Sequence, residues 1–249
     1  MAWIRNRPFG LVYRDAEQSF GGYTLFCTVR GHYATLLDDE GRIVRRWRHE
    51  EGITHAKLLE SGNLLVHTFP AEDAGGAEQI GGSAAALLEL DPDGKVVWEH
   101  RDLLMHHDYL RLPHGNTLLL SWRRLPKEVS EQVGGGHHHK DDPECMYGDV
   151  VQEITADGRV VNEWRAWEHL SFEDDQICPL ESHKEWTHAN SLDLTPDGDW
   201  LLSFRLTSTV AIVDPATGAF KWKWGPKVLS HQHAASWLPN GRVLIFDNG

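Results

Sequence analysis

The sequence predicts an all-β chain made of four-stranded antiparallel sheets, the blades of a β-propeller. A glycine-centred turn signature recurs four times, and its glycines lie 53, 64 and 60 residues apart. A second glycine signature alternates with the first along the chain. Between these turns lie short apolar or alternating segments with no helical periodicity. Repeats of this length that contain four short strands are typical of propeller blades.

The first turn signature joins the last two strands of each unit. Its glycine is followed by β-branched or aromatic residues and then by tryptophan, and glycine supplies the positive φ of a tight hairpin turn. The four glycines are Gly41, Gly94, Gly158 and Gly218, and the tryptophans that follow them are Trp47, Trp98, Trp164, Trp222 and Trp224. A bulky side chain repeated at this point is expected to pack between adjacent blades.

The second signature joins the first two strands of each unit, at Gly62, Gly115, Gly198 and Gly241. In the clearest unit the four strands A to D are expected at 190–194, 200–205, 209–213 and 219–224. We expect one domain over residues 1–249 that holds roughly four to five blades. The sequence stops at Gly249 in the middle of a unit, so the domain is expected to be truncated at its C-terminus.

The long connections of the predicted meander all lie on one face. In a blade with strands A to D, the A–B and C–D turns share one edge, and the B–C and D–A connections share the other. The glycine turns are short, whereas the connections 70–82, 123–148 and 165–185 are long and belong to the second group. Long loops on a single face predict that this face carries the function.

Histidines recur where the A strands begin, at that same face. The positions eight residues before the A–B glycines are Thr54, His107, Asn190 and His233. Two residues further back, on the same side of a regular strand, lie Gly52, Met105, His188 and His231. Because A strands line the central channel of a propeller, the histidines are expected to converge at one channel mouth.

Composition excludes several classes of function. Lys and Arg number 24 against 37 Asp and Glu, a formal charge of −13, which argues against nucleic acid and anionic membranes as partners. Apolar stretches are far shorter than the ~20 residues of a membrane span, and no apolar leader is visible, so we expect a cytoplasmic protein. The cysteines Cys27, Cys145 and Cys178 lack the spacing of a zinc site.

Five segments together resemble the bacterial arylsulfotransferase (aryl-sulfate sulfotransferase) β-propellers. They are Gly22-Tyr23-Thr24-Leu25-Phe26, the Asp-Gly-Arg-Val-Val turns, His106-His107-Asp108 before Leu112-Pro113-His114-Gly115-Asn116, Trp186-Thr187-His188-Ala189-Asn190-Ser191, and Gln232-His233 before Leu238-Pro239-Asn240-Gly241 and Phe246-Asp247-Asn248-Gly249. The resemblance spans essentially the whole chain. It implies a six-bladed propeller that moves a sulfuryl group from an aryl sulfate to a phenol through a sulfated histidine, without a nucleotide donor or other cofactor.

The resemblance also assigns roles to individual residues. It implies His233 as the nucleophile, supported by His188 and His107. A second histidine could protonate the departing phenolate and deprotonate the acceptor phenol, a role that we assign to His188. Asn190, Arg205, His231 and His106 are the expected substrate-binding residues, and no metal is expected. Whether His231 or His233 is the nucleophile stays open, as does the formation of a homo-oligomer. The expected partners are a small aryl sulfate and a phenol.

Two other functions are compatible with the residues. His231, His233, His188 and His107 could hold a metal ion in a hydrolase or lyase, although no carboxylate occupies an aligned channel position. A propeller that only binds a ligand is the other alternative, because the fold hosts many functions. The run from Gly134 to Lys140, followed by Asp141-Asp142, is interpreted as a solvated mobile loop that could close over the mouth.

Overall fold

The described part of the chain consists almost entirely of β-strands. The computed structural model describes residues 10–28, 30–70, 80–140, 142, 144 and 146–249. The strands are β1 Tyr23–Cys27, β2 Tyr33–Asp38, β3 Ile43–Arg48, β4 His55–Leu58, β5 Leu64–His67, β6 Ala86–Leu90, β7 Val96–Arg101, β8 Met105–Arg111, β9 Thr117–Arg124, β10 Gly135–His137, β11 Tyr147–Ile154, β12 Val160–Arg165, β13 Ile177–Ser182, β14 Glu185–Trp186, β15 Ala189–Leu194, β16 Trp200–Phe204, β17 Thr209–Val213, β18 Phe220–Trp224, β19 His233–Trp237 and β20 Val243–Phe246. Helix is confined there to α1 at Lys127–Ser130 and one 3-10 turn at Ala166–Glu168.

The chain divides into two compact units, each with its own sheets and core. The first unit comprises Met1–Glu72 and Ala85–Arg101, and the second comprises Asp73–Ala84 and Asp102–Gly249. In the first unit, β1-β2-β3 form a three-stranded sheet and β4-β5-β6-β7 a four-stranded one. Its core includes Ile53, Leu64, Val66 and Leu88, which are fully buried.

The second unit holds two further four-stranded antiparallel meanders. One has the order β8-β9-β11-β12 with β14 added in parallel beside β11, and the other has the order β15-β16-β17-β18. Strands β19 and β20 form a two-stranded sheet, and β10 pairs in parallel with β13. The fold class is therefore all-β, with antiparallel blades of the β-propeller type, as the sequence predicts.

The glycine turns lie where the sequence predicts them. Gly198 has a φ of +84° in the turn between β15 and β16, and Gly158 has a φ of 82° between β11 and β12. The strands of the β15–β18 sheet match their expected ranges to within one residue at each end. In the second unit, the long connections that follow β9 and β12 emerge at the edge where the A strands begin.

Two of the recurrent tryptophans join neighbouring sheets within a unit. In the first unit, Trp47 of β3 is buried and its Nε1 donates a hydrogen bond to the Asp91 carbonyl, 3.1 Å away. In the second, Trp164 of β12 donates to the carbonyl of Gly218, 2.9 Å away in the turn between β17 and β18. Trp222 and Trp224 instead keep 39% and 40% of their surface exposed. The packing role predicted for the tryptophans therefore applies to Trp47 and Trp164.

Among the described residues, no helix has the length and apolar character of a membrane span. Cys27 and Cys178 are free thiols. Cys145 lies outside the described residues.

Candidate functional site

A cavity of about 480 Å³ opens in the second unit, at the edge where its A strands begin. Seven of its twelve lining residues are ionisable: His107, Glu181, Lys184, Glu185, His188, Arg205 and His233. The histidines come from three successive sheets, and Arg205 directly follows β16. This concentration of ionisable groups in a concave site makes the cavity the candidate active site.

The backbone is irregular where the histidines enter the cavity. Strand β8 has a register shift between His106 and Tyr109, and His107, inside the shift, has a φ of 47°. Corresponding shifts interrupt β15 and β19. His188, directly before β15, has a φ of 53°. Bulges and left-handed non-glycine residues are uncommon and cluster at functional sites, because they direct side chains that a regular strand would point elsewhere.

His107 and His188 are in contact. Their ring centroids lie 4.5 Å apart with the ring planes 75° from each other. Gly82 also lies against the His107 ring, since an added Cβ would lie 2.1 Å from Cε1 of the imidazole. Gly82 also has a φ of +88°, so any other residue here would be strained and would displace the ring.

His188 forms a buried pair with Glu185. Nδ1 of His188 lies 2.7 Å from Oε1 of Glu185, and both residues are more than nine-tenths buried. Burial by itself lowers the pKa of His188, but the charge and hydrogen bond of Glu185 outweigh burial and hold this pKa above its usual value. His188 therefore favours the protonated state.

His233 has the opposite tendency. Partial burial lowers its pKa, and the positive charges of Arg205 and His188 lower it further, against the hydrogen bonds to the His231 backbone and the Asn248 side chain. Near neutral pH this ring is an uncharged imidazole, which has a nitrogen lone pair available to attack an electrophile.

Arg205 supplies a fixed positive charge to the cavity, which Lys184 also lines. Its Nη2 lies 2.9 Å from Oε1 of Glu181, and Nε2 of His231 approaches the same oxygen to 3.1 Å. The guanidinium group has five N–H donors, so the contact with Glu181 leaves others that can bind an anion.

The family model for arylsulfotransferase (ASST) matches residues 28–229 of the chain, which is well over half of its length. The chain belongs to the arylsulfotransferase family. No curated protein matches the chain.

Several solved structures share the fold of this arylsulfotransferase-family chain at low sequence identity. A protein of unknown function from Bacteroides caccae is 14% identical with a TM-score of 0.51, over 90% of this chain and 64% of that one. Hydrazine synthase from Kuenenia stuttgartiensis is 12% identical with a TM-score of 0.55, over 91% and 68%. Virginiamycin B lyase from Staphylococcus aureus is 9% identical with a TM-score of 0.50, over 91% and 63%. The chain thus spans about two thirds of the length of these structures, and the likeness concerns the fold.

The structure places the sequence-predicted site residues of this arylsulfotransferase-family chain in three groups. His107, His188, Arg205 and His233 line the cavity. Two others lie just behind the lining: His231 contacts Glu181, and the buried Asn190 donates a hydrogen bond from Nδ2 to the carbonyl of Gln232, 2.8 Å away. His106 is fully buried.

The expectation that His106 binds substrate directly is wrong. Its ring stacks on Trp122 with 4.0 Å between the ring centroids, and its Nδ1 lies 3.0 Å from Nδ1 of His107. A fully buried ring between these two neighbours can act on a substrate only through His107.

The carboxylates of the cavity are absent from the sequence-based site, which expected none there. Glu181 lies at the end of β13 and Glu185 in β14, both in the connection between β12 and β15. This connection has no counterpart in the other repeats, so comparing the repeats cannot find these residues. Glu185 does lie three residues before His188, a spacing that could have suggested it. Across the described residues, no group of three or more His, Cys, Asp and Glu side chains is arranged to hold a metal ion.

The histidine-rich run from Gly134 to Lys140, interpreted from the sequence as a solvated mobile loop, is exposed from His137 onward but contains a short strand. Gly135–His137 forms strand β10, which pairs in parallel with β13. The ring of His138 lies 4.2 Å, centroid to centroid, from that of His183, whose Nε2 is 3.0 Å from the Val133 carbonyl. Asp141 lies outside the described residues.

Proposed function

We propose that this chain transfers a sulfuryl group from an aryl sulfate to a phenol through a sulfated intermediate on His233. Family membership supports an arylsulfotransferase-like function. The observation that carries the specific proposal is the pairing of opposite pKa shifts in one cavity, lowered at His233 and raised at His188. A neutral nucleophile beside a protonated acid is what transfer in two steps needs.

In the first step a ring nitrogen of His233 attacks the sulfur atom of the aryl sulfate. The bond between sulfur and the phenolic oxygen breaks, and the departing phenolate takes the proton of His188, so that a neutral phenol leaves. The negative charge of the transferred group lies on oxygens that Arg205 can bind. One donor placed in this way lowers the barrier by about 3 kcal/mol.

The second step reverses the first with a different phenol. His188, now neutral, takes the hydroxyl proton of the acceptor phenol while the phenolic oxygen attacks sulfur. The bond between sulfur and nitrogen breaks, which restores neutral His233 and protonated His188. The cycle consumes no cofactor and no nucleotide, since the aryl sulfate is itself the donor.

A transfer assay tests the proposal directly. Incubation with a chromogenic aryl sulfate and a second phenol is expected to release the first phenol and to form the sulfate ester of the second, detected by mass spectrometry. Rates are expected to be unchanged by a metal chelator. Release of inorganic sulfate alone would indicate a hydrolase, and a rate that the chelator abolishes would favour the metal-dependent alternative.

The pH dependence of kcat/KM is expected to be bell-shaped. His233 must be neutral, and because its pKa lies below the ordinary 6.5, the ascending limb lies on the acid side of 6.5. His188 must be protonated, and because its pKa is raised above 6.5, the descending limb lies on the alkaline side. A rate that keeps rising with pH through neutrality would contradict these assignments.

Replacing Arg205 with glutamine is expected to raise KM for the aryl sulfate roughly 10- to 100-fold, because a charged hydrogen bond to the substrate is lost. Inhibition by inorganic sulfate is expected to weaken in parallel. Arg165→Gln is the matched control, because Arg165 forms a partly exposed pair with Glu163, 2.9 Å away, and does not line the cavity. Equal KM values for the two variants would remove Arg205 from the sulfate-binding role.

A further inference from the structure

The carboxylate of Asp149 contacts residues next to both His107 and His188 in the chain. Asp149 lies on β11, opposite Trp122 of β9, and only 2% of its surface is exposed. It does not line the cavity. Its two oxygens face different elements, Oδ2 the segment around His188 and Oδ1 the ring of His106.

Oδ2 of Asp149 holds the backbone that carries His188. It accepts hydrogen bonds from the hydroxyl of Thr187 and from the backbone N–H of Ala189, the latter at 2.8 Å. Thr187 and the residue that follows it, His188, have φ values of 86° and 53°. Two consecutive left-handed non-glycine residues persist only where their surroundings hold them in place. The carboxylate binds the residues on both sides of His188 and thereby fixes where its ring enters the cavity.

Oδ1 of Asp149 faces His106. It lies 3.2 Å from Nε2 of that ring, within ion-pair distance, and neither of these two buried atoms forms a hydrogen bond within the described ranges. An ionised carboxylate only accepts hydrogen bonds, so a proton on the facing nitrogen of His106 is the favourable arrangement. Nε2 of His106 therefore carries the proton, and Nδ1 of His106 is left as an acceptor.

The tautomer of His106 then sets that of His107. Nδ1 of His106 lies 3.0 Å from Nδ1 of His107, so His107 must donate from this nitrogen. Its second ring nitrogen, Nε2, is then the lone-pair nitrogen of a ring that lines the cavity. His106 thereby sets the tautomer of His107, whereas Glu185 favours the protonated state of His188.

We propose that Asp149 is a positioning residue of this site, which fixes the tautomer of His107 through His106 and the placement of His188 through Thr187 and Ala189. The inference rests on the proposed function for its catalytic meaning. A purely structural role would depend on the volume of Asp149 alone. In the proposed role, the charge of Asp149 also decides which nitrogen of His107 carries a proton.

The substitution Asp149→Asn tests this inference, since it preserves shape and removes charge. An amide N–H that faces His106 would require the opposite tautomer there and therefore at His107. We expect kcat to fall on the order of 100-fold with KM within about twofold, a smaller loss than the ~10⁴-fold seen where an aspartate in direct contact with a catalytic histidine becomes asparagine. Asp199→Asn is the matched control, because Asp199 is also buried but pairs with Lys221 at the far end of β15, 2.7 Å away.

The decisive readout is the 15N spectrum of the His107 imidazole in the resting protein, assigned by its loss in His107→Gln. Wild type and Asp199→Asn are expected to show a proton on Nδ1, and Asp149→Asn a proton on Nε2. An unchanged tautomer in Asp149→Asn would overturn the inference. Because no substrate is present, this result does not depend on sulfuryl transfer, and a failure of the transfer assay would leave it intact.

A second pair of variants separates the two branches and serves if Asp149→Asn does not fold. His106→Asn keeps the contacts of Asp149 with Thr187 and Ala189, and His107 is expected to become a mixture of tautomers. Thr187→Val removes one donor of the other branch, and kcat is expected to fall while the tautomer of His107 stays as in wild type. A single wild-type tautomer in His106→Asn would contradict the proposal.

Discussion

Replacing His233 with alanine is expected to abolish sulfuryl transfer, with a loss of at least about 10⁴-fold. Removing a nucleophile eliminates the covalent pathway and leaves only the small contribution of binding and charge stabilisation. The half-buried ring can be shortened at modest structural cost, so the variant is expected to fold. The measurement is the initial rate of phenol release from a chromogenic aryl sulfate.

Two controls make this result specific. His114→Ala removes an exposed histidine at the turn between β8 and β9 and is expected to keep the wild-type rate. His231→Ala removes the contact with Glu181 and is expected to slow turnover while sulfation of the protein continues. If His231→Ala abolished sulfation and His233→Ala did not, the nucleophile would be His231.

Replacing Glu185 with glutamine is expected to have the second largest effect. Without the carboxylate 2.7 Å from Nδ1, burial dominates and the pKa of His188 falls, so that the ring is neutral at neutral pH. A group whose pKa falls loses its proton at a lower pH, so the descending limb of the pH profile moves toward acid. At neutral pH we expect kcat to fall by about 10²- to 10⁴-fold, the typical contribution of a general acid.

The leaving group distinguishes loss of the acid from general damage to the site. Aryl sulfates of strongly acidic phenols need little protonation, so Glu185→Gln is expected to turn them over nearly as fast as wild type, while those of weakly acidic phenols are slowed most. Glu153→Gln is the matched control, since Glu153 pairs with the exposed His114 at 3.1 Å. A uniform loss across all donors would refute the role of Glu185 in holding the proton of His188.

The blades could be predicted because each repeat carries its own local signals. The turn at Gly198 sets the end of β15 and the start of β16, and the apolar segments on both sides of it indicate the strands, so the predicted and observed ranges agree closely. Alignment on the same glycines brought His107 and His233 to one edge without any knowledge of their contacts.

The arrangement of the site could not be predicted in the same way. The argument from a two-residue period assumes a regular strand, but bulges interrupt β8, β15 and β19 where the histidines enter. Glu181 and Glu185 belong to an insertion without a repeat partner, and Asp149 lies on β11, the third strand of its sheet. Their contacts with the histidines arise only from tertiary packing, which leaves no periodic signal in the sequence.

The central claim is that the sulfuryl group rests on His233 between the two half-reactions. Incubation with an aryl sulfate in the absence of acceptor, followed by rapid quenching at alkaline pH and peptide mass spectrometry, measures this directly. We expect the mass of one SO3 group on the peptide that contains His233, and its disappearance when a phenol is added before the quench. Turnover without that modification at any time, or the modification on another residue, would contradict the account.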